Sequence, residues 1–551
     1  MSELSQQITI QPPRRARMSP WSIGAVLIAT MVLIPIVAVI WFALTPTENI
    51  WPHMLRTTLP RYLTNTAVLM FSVGALTAMI GTGAAWLVVM YQFPGRRVLQ
   101  WALLMPLAVP AYVGAYALVD FFEYAGPVQT ALREAMGWTT ARDYWFPAIR
   151  TRGAAVLVLS AALYPYVYLL ARAAFREQSG AAYEVAQALG AGAFARFWRV
   201  GLPLARPAIA AGVAVVMMET VNDFGTVDYF AVQTLTTGIF SVWLQGGNLG
   251  GAAQLATCVL GLVIILVTLE KLSRRKSKFF GSARGQRPVT PTKLRGWCSY
   301  MVTLLCLLPV IGGFLLPVGV LLTHAFDASQ WVAPGLRKAM AHTITVGGIA
   351  AILTVLGGVF MVYGVRLTRK RLPALLMPVT AIGYAAPGAV LGLGILVPLA
   401  RFDNALADTV VKFGFNDPGL IFTGSAAALV LAYVVRFFAI GQGTADAALG
   451  RVSPSLPMAA RSLGRTAGGT LRAVHLPLLK ASIGSALLLV FVDCVKELPA
   501  TLLLRPFSYD TLATRVYAKA SLENISEAAP AALMITLVGL AAVIFLARAN
   551  R

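Results

Sequence analysis

The sequence predicts an all-α polytopic membrane protein of about twelve transmembrane helices, arranged as two tandem sets of six. Three observations carry this. Of 551 residues, 58% are hydrophobic and only 12% charged, and the mean hydropathy is +0.73, far from the composition of a soluble domain. Apolar runs of roughly 20 residues recur, each long enough at ~1.5 Å per residue to cross a ~30 Å hydrocarbon core as a helix that satisfies its own backbone. One pattern of small and polar residues also returns at a fixed distance in the second half of the chain.

Spans are expected near 21–44, 66–90, 98–119, 153–175, 204–222 and 253–272, then 299–323, 342–365, 374–399, 421–443, 478–500 and 528–547. Residues 1–20 carry Arg14, Arg15 and Arg17 ahead of a first apolar run too long for a signal-peptide core, so they read as a cytoplasmic tail before an uncleaved span. The segment 273–298 is rich in Lys and Arg and has no acid, which places it in the cytoplasm as a linker. It separates a first domain, 21–272, from a second, 299–551. Arg96 and Arg97, the Arg-rich stretch 172–206, Arg366 with Arg369 and Arg371, and the stretch 451–480 fall on the same side. Residues 221–251 have Asp223 and Asp228 but no Lys or Arg, and fall outside. Both termini are then cytoplasmic in a bacterial inner membrane, with the lipid bilayer as the first partner.

The net charge of +23 is distributed between apolar runs rather than over a phosphate-binding face, and no recognition motif accompanies it, so nucleic acid is not a partner. Cys258, Cys298, Cys306 and Cys494 show no CxxC spacing, and His53, His324, His342 and His475 are scattered. Neither a disulfide framework nor a tightly bound metal is expected.

The repeat has a constant offset. Glu184, Gly190, Pro203, Glu219, Asp223, Thr237 and Ser241 stand 274 positions before Met458, Gly464, Pro477, Asp493, Glu497, Thr511 and Arg515. An even number of spans in each half gives the copies the same orientation, related by a pseudo-two-fold along the membrane normal.

Within the repeat lies a segment unsuited to lipid. In the first copy it consists of Glu184, Ala186 and Gly190, then Val200, Leu202 and Pro203; in the second of Met458, Ala460 and Gly464, then Val474, Leu476 and Pro477. Small residues leave a shallow face another protein can approach, Gly lets the chain turn, and Leu-Pro starts the next span. This motif, twice in cytoplasmic loops, resembles the EAA loop of permease subunits in binding-protein-dependent ABC importers. The resemblance implies type I permease domains, with these ten residues other than Val200 and Val474 in ATPase coupling. It also implies two copies of a separate ATPase subunit and a periplasmic substrate-binding protein as partners. The competing reading is an amphipathic helix lying on the headgroups. Val185 and Met458 depart from the pattern, so the two docking sites differ. "GRTAGGT" at 464–470 has no Lys and no preceding strand, so it is no phosphate loop. No cofactor is expected in this chain; ATP and Mg belong to the partner, and no catalytic cluster points to an enzyme.

Residues 218–243 and 495–517 resemble the ferric-iron branch with two fused permease domains. Independently, Glu219 and Asp223 stand i,i+4, as do Asp493 and Glu497, which puts each pair on one helix face. Glu219 would lie roughly 20 Å into the core, where a carboxylate is costly and usually faces a cavity or partner. The pseudo-two-fold can bring all four around one axis as weak oxygen ligands for a hard cation. In the alternative, Asp223 and Glu497 lie in water at the periplasmic mouth and Lys496 neutralises Asp493. "QTLTTG" (233–238) and "SYDTLAT" (508–514) either receive the binding protein or cap short re-entrant helices. Rival functions are an ABC permease for thiamine, polyamine, phosphonate or sugar phosphate, and a twelve-helix secondary transporter of the major-facilitator type.

Overall fold

A computed structural model describes residues 20–275, 289–368, 371–380, 383, 386–453 and 455–549. The tail bearing Arg14, Arg15 and Arg17, the linker centre at 276–288, and Arg369 and Lys370 lie outside the described residues. The chain is an all-α, multi-pass membrane protein. Among the described residues, eleven helices are long and apolar enough to cross a membrane, and a bent pair brings the number to twelve.

That bent pair corrects the expected third span. Instead of one helix over 98–119, the chain turns by 94° between Ala108 and Ala111. Pro110 holds ψ at 143° and cannot donate to the preceding turn, so a new helix starts at Ala111. The ninth span is interrupted in the same place. One helix covers Arg371–Thr380, and after Pro387 (ψ 149°) another runs from Gly388 to Lys412, past the expected end at 399. Beyond 400 the sequence turns amphipathic, and the helix continues where the apolar signal fades.

Polar side chains start the helices on schedule. Thr151 accepts from the Ala154 amide at 3.2 Å. Asn248 and Asn524 accept from Gly251 (2.7 Å) and Glu527 (3.2 Å) at the heads of the two sixth spans. The fifth spans, Leu202–Asn222 and Leu476–Lys496, are each preceded by a π-helical turn, Phe197–Gly201 and Leu471–His475. Pro203 and Pro477 supply the reason: neither has an amide hydrogen, and the ring would press on the carbonyl four residues back in a regular turn.

The two halves exchange their first spans. Pro20–Leu44 packs on its own sixth span but otherwise on the second half's helices 336–368, 371–380 and 388–412. The helices Trp297–Val310 and Leu316–Ala325, joined by a π-helical turn, pack reciprocally on 59–90, 96–102 and 111–122. The crossings are close. An added Cβ at Gly394 would lie 2.1 Å from the Pro35 carbonyl oxygen, and one at Gly313 would lie 2.3 Å from that of Ala161.

Candidate functional site

The two segments singled out by the repeat fold alike at one end of the bundle. The helices Gly180–Ala188 and Ser455–Ser462 both end with a glycine in the left-handed region, Gly190 at φ +81° and Gly464 at φ +80°. Around them the backbone closes in the same way: Ala191 donates to the Ala186 carbonyl (2.9 Å) and Gly190 to Gln187 (3.0 Å), while Arg465 donates to Ala460 (3.1 Å) and Gly464 to Arg461 (2.9 Å). This is the arrangement that satisfies the last helical carbonyls and turns the chain sharply. No atom lies within 4 Å of a Cβ built on either glycine, so the requirement is conformational rather than steric.

Glu184 and Met458 are exposed, and Ala186 and Ala460 are half-buried. Leu189 and Leu463, just before the glycines, are 82% and 84% exposed. Beneath the first helix, Tyr183 is buried against Trp86, with ring centroids 5.8 Å apart. In the second half Tyr363 occupies the place of Trp86, packing on His475 at 5.3 Å and donating to the Ala467 carbonyl at 2.8 Å. Leu202, Pro203, Leu476 and Pro477 open the fifth-span helices, which carry the chain roughly 25 Å further to Glu219 and Asp493.

At their far ends these helices stop at Asn222 and Lys496, and the expected shared face of the acidic pairs is not realised. Asp223 (ψ 134°) and Glu497 (ψ 123°) are extended and cap the short helices that follow, Gly225–Tyr229 and Pro499–Leu504. Asp223 accepts from the Thr226 amide (3.0 Å), the Thr226 hydroxyl (3.0 Å) and the Val227 amide (3.1 Å). Glu497 accepts from the Ala500 and Thr501 amides (3.0 Å each) and the Thr501 hydroxyl (2.8 Å). The free amides at a helix start attract a carboxylate more strongly than a fourth helical turn does. Glu497 is buried, and Arg436 lies against it with Nη1 3.1 Å from Oε1.

Glu219, Asp223, Asp493 and Glu497 line one cavity of about 190 Å³ between the halves. Arg436 and Lys496 line it as well, and Lys496 donates to the Leu107 carbonyl at 2.8 Å. With the oxygens of Asp223 and Glu497 occupied by amides, Glu219 and Asp493 are the carboxylates left to meet a solute. The buried Asn222 Oδ1 and Tyr112 hydroxyl, also in this wall, have no hydrogen-bond partner among the described residues. Among the described residues no three metal-ligating side chains converge on a point, so the acids surround a volume rather than form a cage.

The Thr-rich stretches are helix caps. Thr234 forms a reciprocal capping box with Thr237, and Thr511 with Thr514. The Leu235 amide donates to Thr66 (3.0 Å) and the Leu512 amide to Thr343 (2.8 Å). Thr511 is therefore the counterpart of Thr234, and the expected equivalences of Thr237 with Thr511 and Ser241 with Arg515 are corrected. The second half has three more residues between its acidic cap and its Thr cap, which a constant offset cannot register.

Arg436, Leu189 and Leu463 were missed in the sequence. Arg436 interrupts "ALVLAYVVRFFAI", and a lone Arg in an apolar span is itself a signal. The two leucines precede the two glycines in both copies.

Residues 77–278 match the family described as binding-protein-dependent transport system inner membrane component. The chain is also 26% identical over 494 residues to "Fe(3+)-transport system permease protein FbpB 2" of Haemophilus influenzae, covering 88% of this chain and 89% of that one. The chain is thus similar, over most of its length, to permeases of binding-protein-dependent transport systems. The chain is also 24% identical to "Ferric transport system permease protein FbpB" of Actinobacillus pleuropneumoniae, over 73% of its own length and 58% of the relative's. Over 34% of its length it is 27% identical to "Molybdenum transport system permease protein ModB" of Escherichia coli, covering 79% of that protein. The shorter relative is about one half of the permease, in keeping with two fused copies.

Proposed function

We propose that this permease carries ferric iron across a bacterial inner membrane as the membrane subunit of an ATP-driven importer. The observation that carries the reading is the set of four carboxylates, two from each half, around one cavity at the ends of the fifth-span helices. Hard cations favour carboxylate oxygen, and the relatives matched over most of the chain are named as ferric permeases.

In this reading the domains are 21–272 and 299–551, both termini and the linker are cytoplasmic, and the acidic cavity opens outward. A periplasmic binding protein delivers iron, and Glu219 and Asp493 receive it with few enough free oxygens that it can leave again. Two ATPase copies bind the helices ending at Gly190 and Gly464. Their closure, passed along the rigid fifth-span helices, rocks the halves between outward and inward access.

A second reading has its own observation. Arg436 and Lys496 in the cavity wall suit an oxyanion, and a relative matched over 45% of the chain is named as a sulfate transport permease. Uptake of radiolabelled ferric iron, molybdate, sulfate, thiamine and polyamine by cells with and without this chain separates the readings. Selective loss of iron uptake is the expected result; selective loss of an oxyanion installs the second reading in its place.

A further inference from the structure

A second, larger cavity of about 630 Å³ opens on the flank of the first half and has an almost wholly apolar wall. It lies between the second span, the 152–177 span and the first span of the other half. Met79, Leu157, Leu305 and Leu308 in this wall are each more than half exposed although they sit within membrane-spanning helices.

The repeat explains why the space exists. Gly83 in its wall stands 277 positions before Phe360, the same offset that relates Thr66 to Thr343. In the second half the Phe360 ring stacks on Trp21 (centroids 4.7 Å apart) and meets Gly24 so closely that an added Cβ there would lie 2.3 Å from it. At Gly83 there is no ring, and nothing lies within 4 Å of a built Cβ. The missing aromatic side chain accounts for part of this room, and Gly312 and Gly313 of the π-helical turn at Ile311–Leu315 line it from the other half.

We propose that this crevice binds one acyl chain of a phospholipid. At this depth the surrounding solvent is hydrocarbon, the apolar wall offers water almost no hydrogen-bond partners, and an acyl chain seated there is held by close packing contacts rather than by exclusion from water. One end of the seam also offers a place for a headgroup. Thr303 donates to the Pro94 carbonyl at 3.0 Å, which sets the exposed Arg97 beside the helix that forms the crevice wall. A guanidinium there suits a phosphate. Val109, Pro110 and Ala162 line both this crevice and the carboxylate cavity, so the bound chain completes the wall between the polar site and the bilayer.

The test uses the full chain reconstituted in phosphatidylethanolamine and phosphatidylglycerol, exchanged into detergent and weighed by native mass spectrometry. Wild type is expected to retain one phospholipid per chain. Gly83→Phe, which supplies the ring already present in the other half, should lose it, and Gly83→Leu provides the same reading if the Phe variant does not fold. Arg97→Gln should lower retention several-fold without abolishing it. Retention undiminished in a folded Gly83 variant, or no retained phospholipid in wild type, overturns the proposal.

Discussion

Asp223 and Glu497 hold the same post in the two halves, each capping the short helix that follows it through two backbone amides, yet only Glu497 is also held by a guanidinium, that of Arg436. The place of Arg436 in the first half is taken by a small apolar residue, Ala162, which lines the same cavity. A symmetric scaffold therefore carries an asymmetric charge.

Removing one member of this buried pair should be far more damaging than removing both. Glu497→Gln takes from the guanidinium the carboxylate it is directly paired with in a low-dielectric wall, leaving only the more distant Glu219 and Asp493, a change that costs about 3 kcal/mol. Arg436→Leu combined with Glu497→Gln is expected to recover most of that loss. Thermal inactivation of the purified protein in detergent checks it, with the double variant lying closer to wild type than either single one.

Glu219 and Asp493 should matter for transport and not for assembly. Neither caps a helix, so Glu219→Gln with Asp493→Asn is expected to insert normally while lowering iron uptake at least tenfold. Unchanged uptake by a correctly assembled complex would remove these carboxylates from the path.

The turns after the coupling helices can be strained without a clash. At Gly190 and Gly464 a Cβ meets nothing but carries the cost of positive φ, roughly 1 kcal/mol. Gly190→Glu and Gly464→Glu should leave the permease in the membrane and diminish ATPase binding, measured by co-purification. Leu189→Ala and Leu463→Ala test the same surface without strain, and each should weaken binding several-fold by removing an exposed apolar contact.

Glu184 and Met458 make the two proposed docking sites differ in chemistry. Crosslinking of an ATPase at Val185→Cys, beside the charge of Glu184, should fall as ionic strength rises. Crosslinking at Ala459→Cys, beside Met458, should stay nearly constant, because screening acts on charge and not on apolar contact. Equal salt dependence at the two positions counts against the difference.

Much of the architecture is legible in the sequence because hydropathy, charge side and repeat spacing each report a single physical constraint. The apolar runs match the observed spans from Pro20–Leu44 to Ile525–Phe545. The breaks at Pro110 and Pro387 escape because an averaging window sees only that both flanks are apolar. A spacing of four suggests a continuing helix and puts Asp223 and Glu497 on its faces; the unsatisfied amides of the next helix start prevail instead. The slip that pairs Thr511 with Thr234 is hidden in a loop, where length changes leave no periodic trace. Exchange of the first spans is a tertiary choice that no local pattern encodes.

That exchange has a consequence for how the polypeptide could be divided. Because Pro20–Leu44 lies against the second half and Trp297–Ala325 against the first, severing the linker would not release two independent bodies. Each fragment would still be clasped by an arm of the other, so the covalent joint serves to fix a one-to-one ratio, while cohesion belongs to the interlocked arms.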